Sequence, residues 1–152
     1  MNPHSDRCTL CQEDGGRVIW RDASLRIIAV AGDAHPGFTR VVWNEHISEM
    51  TQLPSQARDS LMAAVWRVEQ IQRSVLRPDK INLAQFGNMT PHLHWHVIPR
   101  WADDSHFPEA IWAAAPARSH AQAMAWNQHK TRMAKRLPDY WAALHECCKT
   151  AT

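Results

Sequence analysis

The sequence predicts an α+β domain built on an antiparallel sheet, and three observations carry that expectation. Short stretches with strand character follow one another mostly in sequence, and a single long segment with helical spacing separates the third from the fourth. Gly87-Asn88 stands between two apolar stretches, a composition that suits a turn between antiparallel neighbours. A doubly wound parallel sheet would instead need strands and helices in regular alternation. At 152 residues, 45% hydrophobic and 21% charged, the chain is long enough for one proper core and ordinary for a soluble globular protein.

The elements follow in order. Residues 1–16 hold Cys8-Thr9-Leu10-Cys11 and then Gly15-Gly16, a polar segment closed by a turn. Arg17 to Trp20 and Leu25 to Ala31 read as strands, the second carrying Ile27, Ile28 and Val30. Gly32-Asp33-Ala34-His35-Pro36-Gly37 is a turn cluster, and Phe38 to Trp43 is a third strand, β-branched and aromatic. Pro54 suits a first helical position. Beyond it Leu61, Ala64, Val65, Val68, Ile71 and Val75 keep helical spacing until Arg77-Pro78 stops the helix. Lys80 to Phe86 is the fourth strand and the stretch from His92 the fifth. Residues 101–117 read as irregular. A helix is expected over 118–136, broken or kinked near Pro138, with a second segment to about Cys148. The expected organisation is a domain over 1–115 with 116–152 as a helical extension of the same domain.

Bulk properties exclude little but are informative. A net charge of +2 forces neither nucleic acid nor a membrane as partner. The N-terminal segment has no apolar run of signal-peptide type, and no stretch of 18 apolar residues occurs, so a cytoplasmic protein with reduced cysteines is expected. Phosphate-binding loops of the Gly-x-Gly-x-x-Gly or Walker type are absent, and no organic cofactor is expected.

The most informative stretch is His92-Leu93-His94-Trp95-His96-Val97-Ile98-Pro99-Arg100. A period of two is the side-chain period of a strand, so the three imidazoles fall on one face and Leu93, Trp95 and Val97 on the other. Neighbouring imidazoles are then roughly 6–7 Å apart along the strand, within reach of one phosphate-sized group or of a shared metal. A His-rich exposed strand face would give the same pattern. Cys8-x-x-Cys11 has the spacing of half a zinc site, and equally of a redox pair or of two reduced surface thiols. Arg100 suits either a phosphate or a strand end. Trp101, Phe107 and Trp112 suit either a base pocket or a core or dimer contact.

At His92–Arg100 the chain resembles the histidine triad (HIT) family, whose signature alternates three histidines with apolar residues and ends in two apolar positions. Pro36-Gly37-Phe38-Thr39-Arg40-Val41-Val42, His46, Asn82 and Gly87-Asn88 fit the same family over about residues 8–112. The block from Gly87 to Arg100 looks like a bacterial branch labelled diadenosine polyphosphate hydrolase-like. The resemblance implies a HIT-like fold, a homodimer, and attack at the α-phosphate of a small-molecule nucleotide through a covalent nucleotidyl-histidine. By position it makes His94 the nucleophile and His96 a contact to the phosphate beside it. Asn82 matches an asparagine near the phosphate. Asn88 stands where many members have Gln, near the leaving group. Phe38 stands where many have His and takes no polar role. Asp33 matches a group placed on the ribose hydroxyls, or is a simple turn Asp. In a subset of the family such a Cys pair is completed by two histidines, here His46 and His92, which implies structural zinc on Cys8, Cys11, His46 and His92. Cys147-Cys148 take no ligand role.

Imidazole suits this chemistry because it is a neutral nucleophile at pH 7 and a good leaving group once phosphorylated. Transfer to water makes a hydrolase, and transfer to phosphate or a sugar phosphate makes a nucleotidyltransferase. Two other readings compete: a hydrolase whose three histidines bind a catalytic metal, and a nucleotide-binding protein with little turnover.

Overall fold

The computed structural model describes residues 7–32 and 34–150; Asp33 and His4 lie outside the described residues. Five strands form one antiparallel sheet: β1 Arg17–Arg21, β2 Leu25–Ala29, β3 Thr39–Trp43, β4 Lys80–Ala84 and β5 His94–Arg100. Their spatial order is β1-β2-β3-β5-β4, with every neighbouring pair antiparallel. Among the described residues four α-helices accompany them: α1 Thr9–Gln12, α2 Ser55–Ile71, α3 His120–Ala134 and α4 Leu137–Lys149. The fold is therefore α+β, with the long helix between β3 and β4.

The alternation of side chains splits the sheet into two faces. One face presents Ile27, Val41, Trp43 and Val97 to Leu61, Ala64, Val65 and Val68 of α2 and to Tyr140 and Leu144 of α4, forming the main core. Each of the Ile, Val and Leu side chains among them contributes roughly 1.5–3 kcal/mol on burial. Several polar groups there are paired, while the Trp43 indole N–H is buried with no hydrogen-bond partner among the described residues. Tyr140 and Thr39 hydroxyls meet at 2.8 Å, and Gln72 Nε2 donates to the carbonyls of Gly37 and Val97 at 3.0 Å. Gly37 has a left-handed φ of +82°, and a Cβ there would lie 2.5 Å from Leu76 Cδ1, so the turn between β2 and β3 requires glycine. The opposite face is covered over Ile28 and Val42 by Cys8 and Leu10 of the N-terminal segment. On that face β5 places His94 opposite Val42 and His96 opposite Arg40.

Several element ends differ from the sequence reading, for local reasons. β5 starts at His94 rather than His92, because Leu93 pairs outside the regular ladder: its N–H donates to Ile47 and its carbonyl accepts from Trp43. β4 stops at Ala84, so residues 85–93 form a long connection around Gly87-Asn88 rather than a tight hairpin. Pro54 is the N-cap of α2, one position before the expected one. A wider π-type turn over Gln72–Leu76 prolongs α2, and Arg77, at φ 53°, closes it in the left-handed region before Pro78. The C-terminal break lies between Ala134 and Leu137, with Pro138 in the first turn of α4, where its missing N–H costs nothing. Ser119 and Gln122 cap α3 reciprocally, a signal the sequence carries as Ser-x-x-Gln. Among the described residues, no helix is long and apolar enough to cross a membrane.

Candidate functional site

β5 delivers two of the three histidines to one place. His94 and His96 ring centroids are 4.7 Å apart, and both rings are almost fully buried. Their hydrogen bonds assign complementary tautomers. His94 Nδ1 lies 2.6 Å from the His92 carbonyl, so Nδ1 carries the proton and donates, and Nε2 keeps its lone pair. His96 Nδ1 accepts from Arg40 Nε at 3.4 Å, which puts its proton on Nε2 as a second donor. Burial and the nearby Arg40 charge lower the His94 pKa despite the carbonyl bond, which favours protonation. Burial, His94 and Arg40 together bring His96 down to about 3. Near neutral pH both imidazoles are thus neutral, with His94 presenting a lone pair at Nε2 and His96 an N–H at Nε2.

A cavity of about 360 Å³ opens over this pair, lined by Arg40, Phe86, Asn88, Thr90, His94, His96 and Trp112, among others. Aromatic rings surround His96: Phe38 at 5.6 Å, Phe86 at 6.0 Å and Trp112 at 5.1 Å between centroids. Of the three aromatic candidates named from the sequence, Trp112 reaches this cavity. Trp101 instead packs in the core beside Trp126, at 6.1 Å, and Phe107 lies under the Arg100 guanidinium.

Asn82 and Arg100 lie further along the same face of the sheet and are bound to each other. Arg100 NH1 donates to Asn82 Oδ1 at 2.7 Å, and Arg100 forms a two-pronged ion pair with Asp104, at 2.6 and 3.0 Å. Asp104 also accepts from the backbone N–H groups of His106 and Phe107, both at 2.8 Å. This buried network holds the loop that carries Trp112.

Four further residues meet on the far side of His94. Cys8, Cys11, His46 and His92 bring their ligand atoms within 4.8 Å of one another. Sulfur–nitrogen separations are 3.4 Å for Cys8–His92, 3.4 Å for Cys11–His92 and 3.2 Å for Cys11–His46. A zinc ion about 2.3 Å from sulfur and about 2.0 Å from nitrogen sets tetrahedral edges of roughly 3.3–3.8 Å, and these three sulfur–nitrogen separations lie close to that range, which suits two thiols and two imidazoles to the ion. His92 Nε2 donates to the Trp43 carbonyl at 2.6 Å, which turns the Nδ1 lone pair toward the thiols. The three imidazoles therefore do not converge on one point: His92 faces the cysteines, while His94 and His96 line the cavity. Arg26, almost fully buried on β2, donates to the carbonyls of Leu10, Glu13 and Asp14 and to Asn44 Oδ1, tying the Cys8–Cys11 turn to the segment leading to His46.

Arg26, Arg40, Phe86 and Asp104 were not singled out from the sequence. Arg40 shares a strand face with Val42, but its approach to His96 depends on the β3–β5 pairing, which lies far apart in sequence.

Comparisons with known proteins agree with this fold. An AP-4-A phosphorylase of Mycobacterium tuberculosis (strain CDC 1551 / Oshkosh) is 28% identical over 101 residues, covering 62% of this chain and 52% of that protein, so the chain spans about half the length of the curated relative. Among solved structures, a histidine triad protein from Marinobacter aquaeolei VT8 is similar in fold, at TM-score 0.62 and 20% identity, covering 82% of this chain and 92% of that one. A Zn-bound histidine triad family protein from Mycobacterium smegmatis is similar at TM-score 0.58 and 20% identity, covering 96% and 99%. A HIT domain model matches residues 12–103, more than half of the chain, and the chain therefore belongs to the HIT domain family.

Proposed function

We propose that this protein acts at the α-phosphate of a nucleotide conjugate, a dinucleoside polyphosphate or a nucleoside phosphoramidate, through a covalent nucleotidyl-His94 intermediate. The observation that carries the reading is the 2.6 Å bond from His94 Nδ1 to the His92 carbonyl, which frees Nε2 as the nucleophile in the cavity. In the first step the Nε2 lone pair forms a bond to phosphorus. The phosphorus bond to the leaving group breaks, and its electron pair departs with that group. His96 Nε2–H donates to a non-bridging oxygen as charge builds there. In the second step an acceptor oxygen attacks phosphorus, the P–N bond breaks, and the pair returns to Nε2. Water as acceptor gives hydrolysis and releases a proton to solvent. Phosphate as acceptor is the second reading, favoured by the likeness to a protein named a phosphorylase.

Asn88, at the cavity wall, is assigned to the leaving-group side and Asp33 to the ribose hydroxyls. Asn82 and Arg100 act indirectly, through Asp104 and the Trp112 loop. Zinc on Cys8, Cys11, His46 and His92 is a further part of the reading. When bound, it cross-links the N-terminal segment to the residues that precede β5.

The test is release of nucleoside monophosphate from a panel of dinucleoside polyphosphates and adenosine phosphoramidate by wild type and His94→Ala. Loss of roughly 10⁴-fold or more in kcat is expected for the folded variant. Undiminished turnover would overturn the reading.

A further inference from the structure

The cavity over His94 carries one permanent charge, that of Arg40, and none of the described residues lining it carries an opposite one. Arg40 is on β3, directly opposite His96. Its Nε donates to His96, and its guanidinium lies 5.6 Å from the Phe38 ring, but it has no carboxylate partner among the described residues. Among the described residues, no Asp or Glu lines the cavity. A partly buried cation without a counter-charge favours an anionic ligand, and the guanidinium NH groups not used by His96 suit phosphate oxygens. Asn88 and Thr90 add neutral polar groups to the same wall. By contrast Arg100, the arginine nearest in sequence to the three histidines, is consumed by Asp104 and Asn82.

We infer that Arg40, with Asn88 and Thr90, forms an anion site beside His94 that binds a second phosphoryl group, which makes polyphosphate conjugates preferred over amidates, whose leaving group is a neutral amine. The inference rests on the His94 reading above and names its substrate class. The second phosphoryl group has two sources. As leaving group, it departs with the electron pair of the broken P–O bond and gains one negative charge, which Arg40 offsets. As acceptor, inorganic phosphate attacks phosphorus in the second step, the pair of the P–N bond returns to His94, and the phosphate loses its proton to solvent to give a nucleoside diphosphate.

Wild type, Arg40→Met and Arg40→Lys are compared on diadenosine tetraphosphate and on adenosine phosphoramidate, which share the transferred nucleotidyl group and differ in leaving group. Turnover is measured with and without inorganic phosphate. Arg40→Met is expected to lower kcat/KM for the tetraphosphate by about tenfold to about a hundredfold more than for the phosphoramidate, with Arg40→Lys between. That result places the anion on the leaving group. Phosphate-stimulated formation of nucleoside diphosphate by wild type, lost in Arg40→Met, places it on the acceptor. Equal losses on both substrates, with no phosphate effect, would overturn the inference and leave Arg40 as a positioning residue for His96. If Arg40→Met fails to fold, the same ratio is read from Arg40→Lys. Failure of the underlying reading looks different: wild type then forms no adduct on His94 from either substrate.

Discussion

Replacing Asp104 by alanine tests the network that holds the cavity loop. The carboxylate is fully buried, and Arg100 is only 1% exposed. It accepts two bonds from Arg100, at 2.6 and 3.0 Å, and two more from the amides of His106 and Phe107. Its removal leaves a buried guanidinium with Asn82 Oδ1 and the Glu109 carbonyl as remaining partners, and deprives both amides of their acceptor. Breaking a buried pair from one side costs about 3–5 kcal/mol. For a chain of this length that is a fall in Tm of roughly 6–20 °C. Thermal and urea unfolding followed by circular dichroism measure it, and Asp104→Asn, which retains an acceptor oxygen, is expected to lose less. The dependence on pH has a definite sign. Burial alone would raise the Asp104 pKa, but Arg100 and the two amides outweigh it and hold the carboxyl below its usual 3.8. Its contribution is therefore complete above that value and is lost as pH falls through the lower, folded-state one. A cost below about 1 kcal/mol for Asp104→Ala would refute the reasoning, because it would mean that Arg100 finds compensation elsewhere.

Two further outcomes are expected. Burial lowers His35 to about 4, and burial with His94 and Arg40 lowers His96 to about 3, so imidazole proton resonances in NMR should titrate at those values, not at 6.5. Because the unfolded chain binds protons first, these histidines make stability rise with pH between the folded values and about 6.5, then level off; unshifted midpoints would contradict this. In the metal-free protein, burial and the adjacent Cys8 thiol raise Cys11 to about 11, so zinc must displace protons to bind. Zinc uptake at one ion per chain, measured calorimetrically in two buffers, should release protons and tighten as pH rises. Cys8→Ser should abolish it, and binding unchanged in that variant would contradict the four-residue site.

What the sequence made legible was local. The period of two from His92 to Val97, the helical spacing from Leu61 to Val68, and the turn at Pro36-Gly37 each depend on neighbours in the chain, and the α+β sheet with its inserted helix follows from them. The same alternation also implied three equivalent imidazoles, and here local reasoning ran out. His92 precedes β5, and its ring is turned by the Trp43 carbonyl, which comes from a different strand. Arg40 was invisible as a site residue for a similar reason, since only the β3–β5 register brings it to His96. Arg100 adjoins the histidine stretch in sequence, yet a second row of partners, Asp104 and Asn82, takes up its charge. Residues 101–117 lack periodicity because buried polar bonds, not an apolar stripe, hold them, and such bonds leave little trace in a pattern of apolar spacing.

The most direct test of the His94 chemistry is peptide mapping by mass spectrometry after rapid quench with a nucleotide conjugate, at neutral to alkaline pH where a phosphoramidate bond survives. A single nucleotidyl group on the peptide containing His94, absent from His94→Ala and formed no more slowly than turnover, is the expected result. A competent adduct on His92 or His96, or steady turnover with no protein-bound nucleotide at any time, would contradict it.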